Sequence, residues 1–276
     1  LIFTSGTRTI LLRKYLFHKP GMSGLTFEVI FQNYFALFLK KDLNGDRIFE
    51  YEINRYSPLK DVIESLGVPH TEVGKLLLKE SAEVDFSYVP VPGDVIQVLP
   101  PETPVDVSRA DLLHPLPLPR ISFMADVNVG KLGRLLRISG FDTRGCKSLS
   151  DTQIAETAAR EKRIVLTKDR NLLKRRIISH GRLVRSIQPW NQLEEILFFY
   201  GLKGKMKPFT ICPVCNGELL SVKKETIEDQ LEPLTRLFYE NFKQCSVCGR
   251  IYWEGSHRKK FEDKVQTFFQ KNKNRG

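Results

Sequence analysis

No run of apolar residues in this chain approaches the roughly 20 needed to cross a bilayer as a helix, so a helical membrane protein is not expected. Cysteine is scarce, 5 in 276 residues, and no secretory signal is legible, so a framework of paired disulfides is disfavoured. Acid is unevenly spread along the chain. Residues 121–207 hold 18 Lys and Arg against 8 Asp and Glu, whereas residues 22–100 hold 7 against 12. The net charge of +11 therefore belongs to one segment, and a basic surface of that kind attracts polyanions, nucleic acid above all. What remains is ordinary globular material, 41% hydrophobic and 27% charged, in a length that suits two domains and a small third unit.

Residues 1–21 carry Arg8, Arg13, Lys14 and Lys19 without an acid and loosely resemble an organelle transit peptide; because Met22 directly precedes the first strand, they are read as an extension of uncertain status. From Thr26 the order is strand, a turn around Asn44-Gly-Asp46, strand, then a helix with Ser57 as cap and Pro58 at its first position. Leu59, Val62, Ile63 and Leu66 give that helix its apolar stripe, Gly67 stops it, and further strands end at Leu99. Residues 22–100 thus read as a β-grasp domain. Residues 101–120 are rich in proline and lack any period, which predicts an extended, semi-rigid linker. Residues 121–207 alternate strand and helix, as a mainly parallel, doubly covered α/β sheet does, with Ile154, Ala155, Ala158 and Ala159 on one helix face.

Within that basic segment, Asp126 ends the apolar run Ile121-Ser-Phe-Met-Ala and Asp169 follows Ile164-Val-Leu-Thr-Lys, while Asp151 opens a helix. Singly, each reads as a helix cap, since Asp accepts from free backbone N–H groups there. Recurrence at the carboxyl ends of strands, where ligands of open α/β sheets gather, favours instead a site for one or two hard cations. Asp142 and Glu156 are the acids available as a fourth member. Lys131, Arg134 and Arg137, three apart on one helix, together with Lys168 and Arg170 are candidate grips for a phosphate backbone.

Cys212-Pro-Val-Cys215 and Cys245-Ser-Val-Cys248 form two C-x-x-C knuckles 29 residues apart. Four thiolates so spaced predict a closed structural zinc site, with an iron–sulfur cluster as the alternative of equal ligand count. The aromatics of Tyr252-Trp253 can stack on bases or pack over the knuckles, and His257 is a spare ligand or substrate contact. Cys146 has no partner in sequence, and His70 reads as a structural turn residue.

Phe123-Met-Ala-Asp126, Gly130-Lys-Leu-Gly-Arg-Leu-Leu-Arg137, Gly140-Phe-Asp-Thr143, Ser150-Asp-Thr-Gln-Ile154 and Ile164-Val-Leu-Thr-Lys-Asp-Arg170 together resemble the PIN-like ribonucleases. More narrowly they resemble the family named after the C-terminal RNase domain of the exonuclease Mut-seven, over about Ile121 to His257. The N-terminal part is similar to the ubiquitin-like module that precedes such nucleases. Its last strand runs on into Pro100-Pro101, so it lacks the free Gly-Gly end that ubiquitin-like sulfur carriers activate. The resemblance implies a PIN-like parallel sheet at 121–207, a zinc ribbon at 208–260 and a basic tail at 261–276. It also implies a metal-dependent ribonuclease in which Asp126, Asp151 and Asp169 hold magnesium or manganese, RNA as partner, and a protein partner for the ubiquitin-like module. A cytoplasmic, membrane-free protein is expected, its oligomeric state open. The rival is a non-catalytic RNA-binding or adaptor protein that keeps the same fold; a receiver domain is disfavoured because Asp126-Val-Asn128 lacks the paired acids it needs.

Overall fold

A computed structural model describes residues 24–39, 48–53 and 55–255, with 259, 261, 263–265 and 267; the extension at 1–21, the turn at 44–46, His257 and most of the basic tail lie outside the described residues. The first unit is a five-stranded sheet in the order β2-β1-β5-β3-β4, built from β1 (Thr26–Phe31), β2 (Ile48–Glu52), β3 (Lys75–Leu78), β4 (Ala82–Glu83) and β5 (Val95–Leu99). Period-two burial along β1 turns Phe27, Val29 and Phe31 inward. β1 pairs antiparallel with β2 and parallel with β5, the pairing a β-grasp requires. Helix α1 (Leu59–Ser65) lays Leu59, Val62 and Ile63 against this sheet. Its N-cap is Pro58, in extended conformation, and not Ser57, whose hydroxyl instead accepts from Arg55 Nε at 3.1 Å. Gly67, at φ 110°, ends the helix as expected.

The second unit is a four-stranded, wholly parallel sheet in the order β7-β6-β8-β9: β6 (Phe123–Ala125), β7 (Thr143–Gly145), β8 (Ile164–Thr167) and β9 (Gly181–Leu183). Helices α2 (Gly130–Ile138), α3 (Asp151–Glu161), α4 (Arg170–Leu173) and α5 (Pro189–Phe199) accompany it. Phe123, Ala125, Ile164 and Leu166 face one core with α2 and α5, while Met124 and Val165 face the other. Gly133 lets α2 approach β6: a Cβ there would stand 2.9 Å from that of Ala125. On α3, Thr157 joins Ile154, Ala155 and Ala158 in the buried face, and Ala159 is exposed, one position off the apolar stripe.

The core behind Met124 and Val165 is not closed by helices alone. It is continuous with the interior of the first unit, so that Phe35, Val62 and Val73 belong to one cluster with Ile154, Leu173 and Ile178. Polar contacts seal the seam. Buried Glu72 accepts from Tyr34 Oη (2.7 Å), Arg182 Nη1 (2.6 Å), Arg185 Nη2 (3.3 Å) and Leu183 N (2.7 Å). His70 lies between Glu64 Oε1 (2.6 Å) and Ile178 O (2.7 Å), the structural role expected of it, and Lys174 Nζ donates to Glu64 O (2.6 Å). The proline-rich segment does not stand away from the body: Val107 and Leu118 are buried in the α2/α5 core and Leu113 in the shared one.

This segment also supplies a pH dependence. His114 and His180 stack with ring centroids 5.4 Å apart, His114 held by Asp111 and His180 by Leu116 O. Burial lowers both from the ordinary 6.5; Asp111 opposes this in each, while the neighbouring imidazoles His180 and His70 add to it at His114. Because the unfolded chain takes up these protons first, the stability tied to the pair is whole above about pH 6.5 and is lost as pH falls below it. Urea midpoints measured from pH 7.5 to 5.5 are expected to fall more steeply for the wild type than for a His114→Phe, His180→Phe variant, and equal slopes would refute the assignment.

The third unit is a small antiparallel sheet of β10 (Leu219–Val222), β11 (Phe242–Cys245) and β12 (Ile251–Trp253), with helix α6 (Pro233–Phe238) between the first two strands. Among the described residues no helix is long and apolar enough to cross a membrane.

Candidate active site and metal centre

Asp126 sits where β6 gives way to a 3-10 turn at Val127–Val129, so it is strand end and cap at once. The residue is only 7% exposed. Oδ1 accepts from Val127 N (2.6 Å), and Oδ2 accepts from Thr167 Oγ1 (2.7 Å) and Asn128 Nδ2 (2.5 Å). The web continues across the sheet: Asn128 Oδ1 accepts from Lys168 N (3.0 Å) and Thr167 Oγ1 from Asp169 N (2.9 Å). Thr167 and Asn128 thus tie the carboxyl ends of β6 and β8 together, fixing the approach of Asp126 to Asp169. Neither was singled out from sequence, although each stands two residues from an aspartate at a strand end.

Asp169 caps the short α4, Oδ1 accepting from Asn171 N at 2.7 Å. Asp151 is the first residue of α3, but the cap there is Ser150 in a reciprocal box with Gln153. The Asp151 carboxylate is therefore not consumed by the helix end; it faces Arg175 Nη2 at 3.8 Å. Among the described residues the three aspartates are not gathered into a group able to hold a metal ion, as the four cysteines are. Asp142 is withdrawn from the acidic set. Burial opposes its charge, but hydrogen bonds from Arg163 (2.7 Å) and Asn216 (2.7 Å) outweigh that and hold its carboxyl below the usual range. Glu156 is exposed on α3.

Of the five basic candidates, Lys131 and Arg134 lie exposed on α2 and Lys168 is exposed between Thr167 and Asp169. Arg137 and Arg170 are otherwise engaged. Arg137 donates to the carbonyls of Thr143 (2.8 Å), Pro213 (3.0 Å) and Val214 (2.8 Å), pinning the ribbon to α2. Arg170 donates to Leu37 O (2.6 Å) and Phe38 O (3.3 Å) of the first unit. Helical spacing singled out Arg137 and adjacency to Asp169 singled out Arg170, and both signals are blind to the neighbouring units that absorb these side chains.

Cys212, Cys215, Cys245 and Cys248 bring all four sulfurs within 4.8 Å of one another, with Cys212–Cys248 at 3.8 Å and Cys215–Cys245 at 3.3 Å. A tetrahedral ion with Zn–S near 2.3 Å spaces its ligands about 3.8 Å apart, so the cluster is able to hold a metal ion. Tyr252 Oη donates to Cys212 Sγ at 3.1 Å, and the backbone N–H groups of Val247 and Cys248 point at Cys245 Sγ at 3.5 Å. Burial resists the thiolate at Cys212, yet the Tyr252 and backbone hydrogen bonds prevail and lower it to about 6. Tyr252 thereby packs against the knuckle, one of its two expected roles. Cys146 is buried, its thiol pushed up to about 12 by burial and by Asp126.

The family model described as the Mut7-C RNAse domain matches residues 121–265, more than half of the 276. The chain belongs to that family. The Mut7-C ubiquitin model matches residues 24–106, ahead of it. The Mut7-C RNAse match encloses Asp126, Asp151 and Asp169 together with all four clustered cysteines, and the family suggests a nuclease-like role. No curated protein and no solved structure matches the chain.

Proposed function

We propose that the protein is a metal-dependent ribonuclease that hydrolyses RNA phosphodiester bonds at the carboxyl end of β6 and β8. The observation that carries this reading is the buried, hydrogen-bonded Asp126 carboxylate of the Mut7-C RNAse domain, linked through Thr167 to Asp169. Carboxylate oxygens suit a hard cation, and magnesium is commonly held by one or two carboxylates, waters and the substrate's own phosphate. The donor set therefore fits magnesium or manganese, with Asp126, Asp151 and Asp169 as the residues that would hold it. Such an ion supplies an activated water and charge stabilisation at the phosphoryl oxygens. The protein's share is positional: Thr167 and Asn128 orient the Asp126 carboxylate, while Lys131, Arg134 and Lys168 offer cations to the RNA backbone, which places a strand without reading its bases. In the ribbon, the four cysteines are assigned to one structural zinc.

That the three aspartates form no metal-holding group among the described residues, together with the loss of Asp142 to Arg163, favours a second reading in which the domain binds RNA without cutting it. One assay separates them. Labelled single-stranded RNA is incubated with manganese or with chelator, beside Asp126→Asn, Asp169→Asn and Thr167→Val. Cleavage is expected to need the metal and to fall at least about a hundredfold in Asp126→Asn. Thr167→Val, which removes only the orienting hydroxyl, is expected to lose about 10- to 100-fold. If all four proteins bind RNA alike and none cuts it, the enzyme reading is lost.

A further inference from the structure

A cavity of about 640 Å³ opens at the end of the parallel sheet opposite the aspartates. Gly181, the first residue of β9, lines it, and β9 runs parallel to β8, whose other end leads to Asp169. Tyr200, also in its lining, packs against Phe123, the first residue of β6. Three parts of the chain share the apolar walls: Leu77 and Leu99 from the first unit, Val105 and Val107 from the proline-rich segment, Phe199 and Tyr200 from the end of α5. Seams between units are where small-molecule sites concentrate, and the volume falls within their usual range of about 300–1,000 Å³.

The polar groups around this cavity are mostly acceptors. Glu80, Glu102, Asp106 and Asp111 line it against Lys75 and Arg109. Both cations are already paired, Lys75 with Glu83 (2.9 Å) and Arg109 with Asp106 (3.3 Å), while Glu80 and Glu102 have no ion pair among the described residues. The stacked His114 and His180 line it too, uncharged at neutral pH because burial lowers both from 6.5. Carboxylate and carbonyl oxygens only accept, so Asp111 and Leu116 O fix the protons on His114 Nδ1 and His180 Nε2; the other nitrogen of each ring is left as an acceptor. Tyr200 is 5% exposed, its phenol kept protonated by burial, and its oxygen makes no hydrogen bond among the described residues. Thr71 Oγ1 is likewise buried and unpartnered. Polar atoms left unpaired in an interior are costly, and a ligand that pairs one removes the penalty.

From this excess of acceptors we infer that the cavity binds a small organic cation, a linear polyamine, whose ammonium groups meet the acids, imidazoles and phenol oxygen while its methylenes lie on Leu77, Leu99, Val105 and Val107. An anion would meet four carboxylates and no unpaired cation in the lining. A bare metal ion would leave the apolar walls unused, and Asp111, His114 and His180 are not gathered into a group able to hold one. The inference goes beyond the proposed nuclease activity and does not depend on it.

The test is calorimetric titration of the RNA-free full chain with spermidine. One saturable site per chain is expected, retained in excess magnesium and unchanged in Asp126→Asn. Glu80→Gln, Glu102→Gln alters two exposed side chains without touching the core and should weaken binding about tenfold. Tyr200→Phe, which removes a single oxygen, should also weaken it about tenfold, so the outcome does not rest on one variant. The inference is overturned if spermidine shows no saturable binding, or if both cavity variants bind it as the wild type does. Displacement by magnesium would overturn it as well, reducing the site to a diffuse acidic surface. So would loss of binding in Asp126→Asn with the cavity variants unaffected, which would put the spermidine at the aspartates. Adenosine monophosphate binding more tightly than spermidine, and more weakly in Tyr200→Phe, would make the occupant an anion and end the proposal.

Discussion

Replacing Glu72 with leucine is expected to cost about 3–5 kcal/mol, because it leaves Arg182 charged and only 5% exposed without its principal partner. Glu195 Oε1, at 3.7 Å, is too distant to take over the hydrogen bond that Glu72 makes at 2.6 Å. The same change removes the acceptor of Leu183 N and the partner of Arg185. Set against a typical stability of about 5–15 kcal/mol, a loss of that size should separate the first unit from the parallel sheet or unfold the chain. Urea unfolding of the full chain reads it directly. A double variant, Glu72→Leu with Arg182→Met, removes both charges and should recover most of the loss, as paired replacement of a buried ion pair does. A single variant within about 1 kcal/mol of wild type would show that the cluster does not hold the units together.

Removal of the proposed zinc should have a larger local effect. The third unit has a small interior centred on the sulfurs: its core cluster is Cys212, Leu219 and Cys245, with Cys215 and Tyr252 packed alongside, and Ile227 and Phe242 are buried besides. Structural zinc contributes about 10–16 kcal/mol of apparent binding energy in zinc-finger peptides at neutral pH, far more than three strands of three or four residues supply. About one zinc per chain is expected by metal analysis. Chelation, or Cys245→Ala, should open β10, β11 and β12 to proteolysis while β6 and β8 stay protected longer. Protein made in metal-replete medium that carries no zinc, or a ribbon equally resistant after chelation, would remove the metal from the account.

Much of this was legible because it is local. The apolar stripe Leu59, Val62 and Ile63 gave α1, the face Ile154, Ala155 and Ala158 gave α3, and paired knuckles gave the sulfur cluster. Contacts between units were not legible. Met124 and Val165 read only as buried, and no period says that one of their covers is the ubiquitin-like unit. Helix α4 stops at Leu173, after one turn, where the chain turns to deliver Lys174 to Glu64 O and Ile178 O to His70. Arg137 and Arg170 were misplaced for the same reason, their carbonyl partners lying 76 and 132 residues away. At the candidate site the acids were found by position, while Thr167 and Asn128, which orient Asp126, carry no charge to draw notice.

Glu72 and Asn216 perform the same service at opposite margins of the parallel sheet. β9 and β7 are its two outer strands, and each points a backbone N–H outward. Glu72 Oε1 takes that of Leu183 at 2.7 Å, and Asn216 Oδ1 takes that of Thr143 at 2.8 Å. Unsatisfied strand margins are templates for a neighbouring molecule, and natural sheets cover or blunt them. Here the covering is contracted out to the flanking units, one held by a carboxylate and the other by the sulfur cluster. A parallel-sheet unit trimmed to 121–207 would expose both margins at once, so it is expected to aggregate through strand addition, and the flanking units are solubility devices as much as accessories.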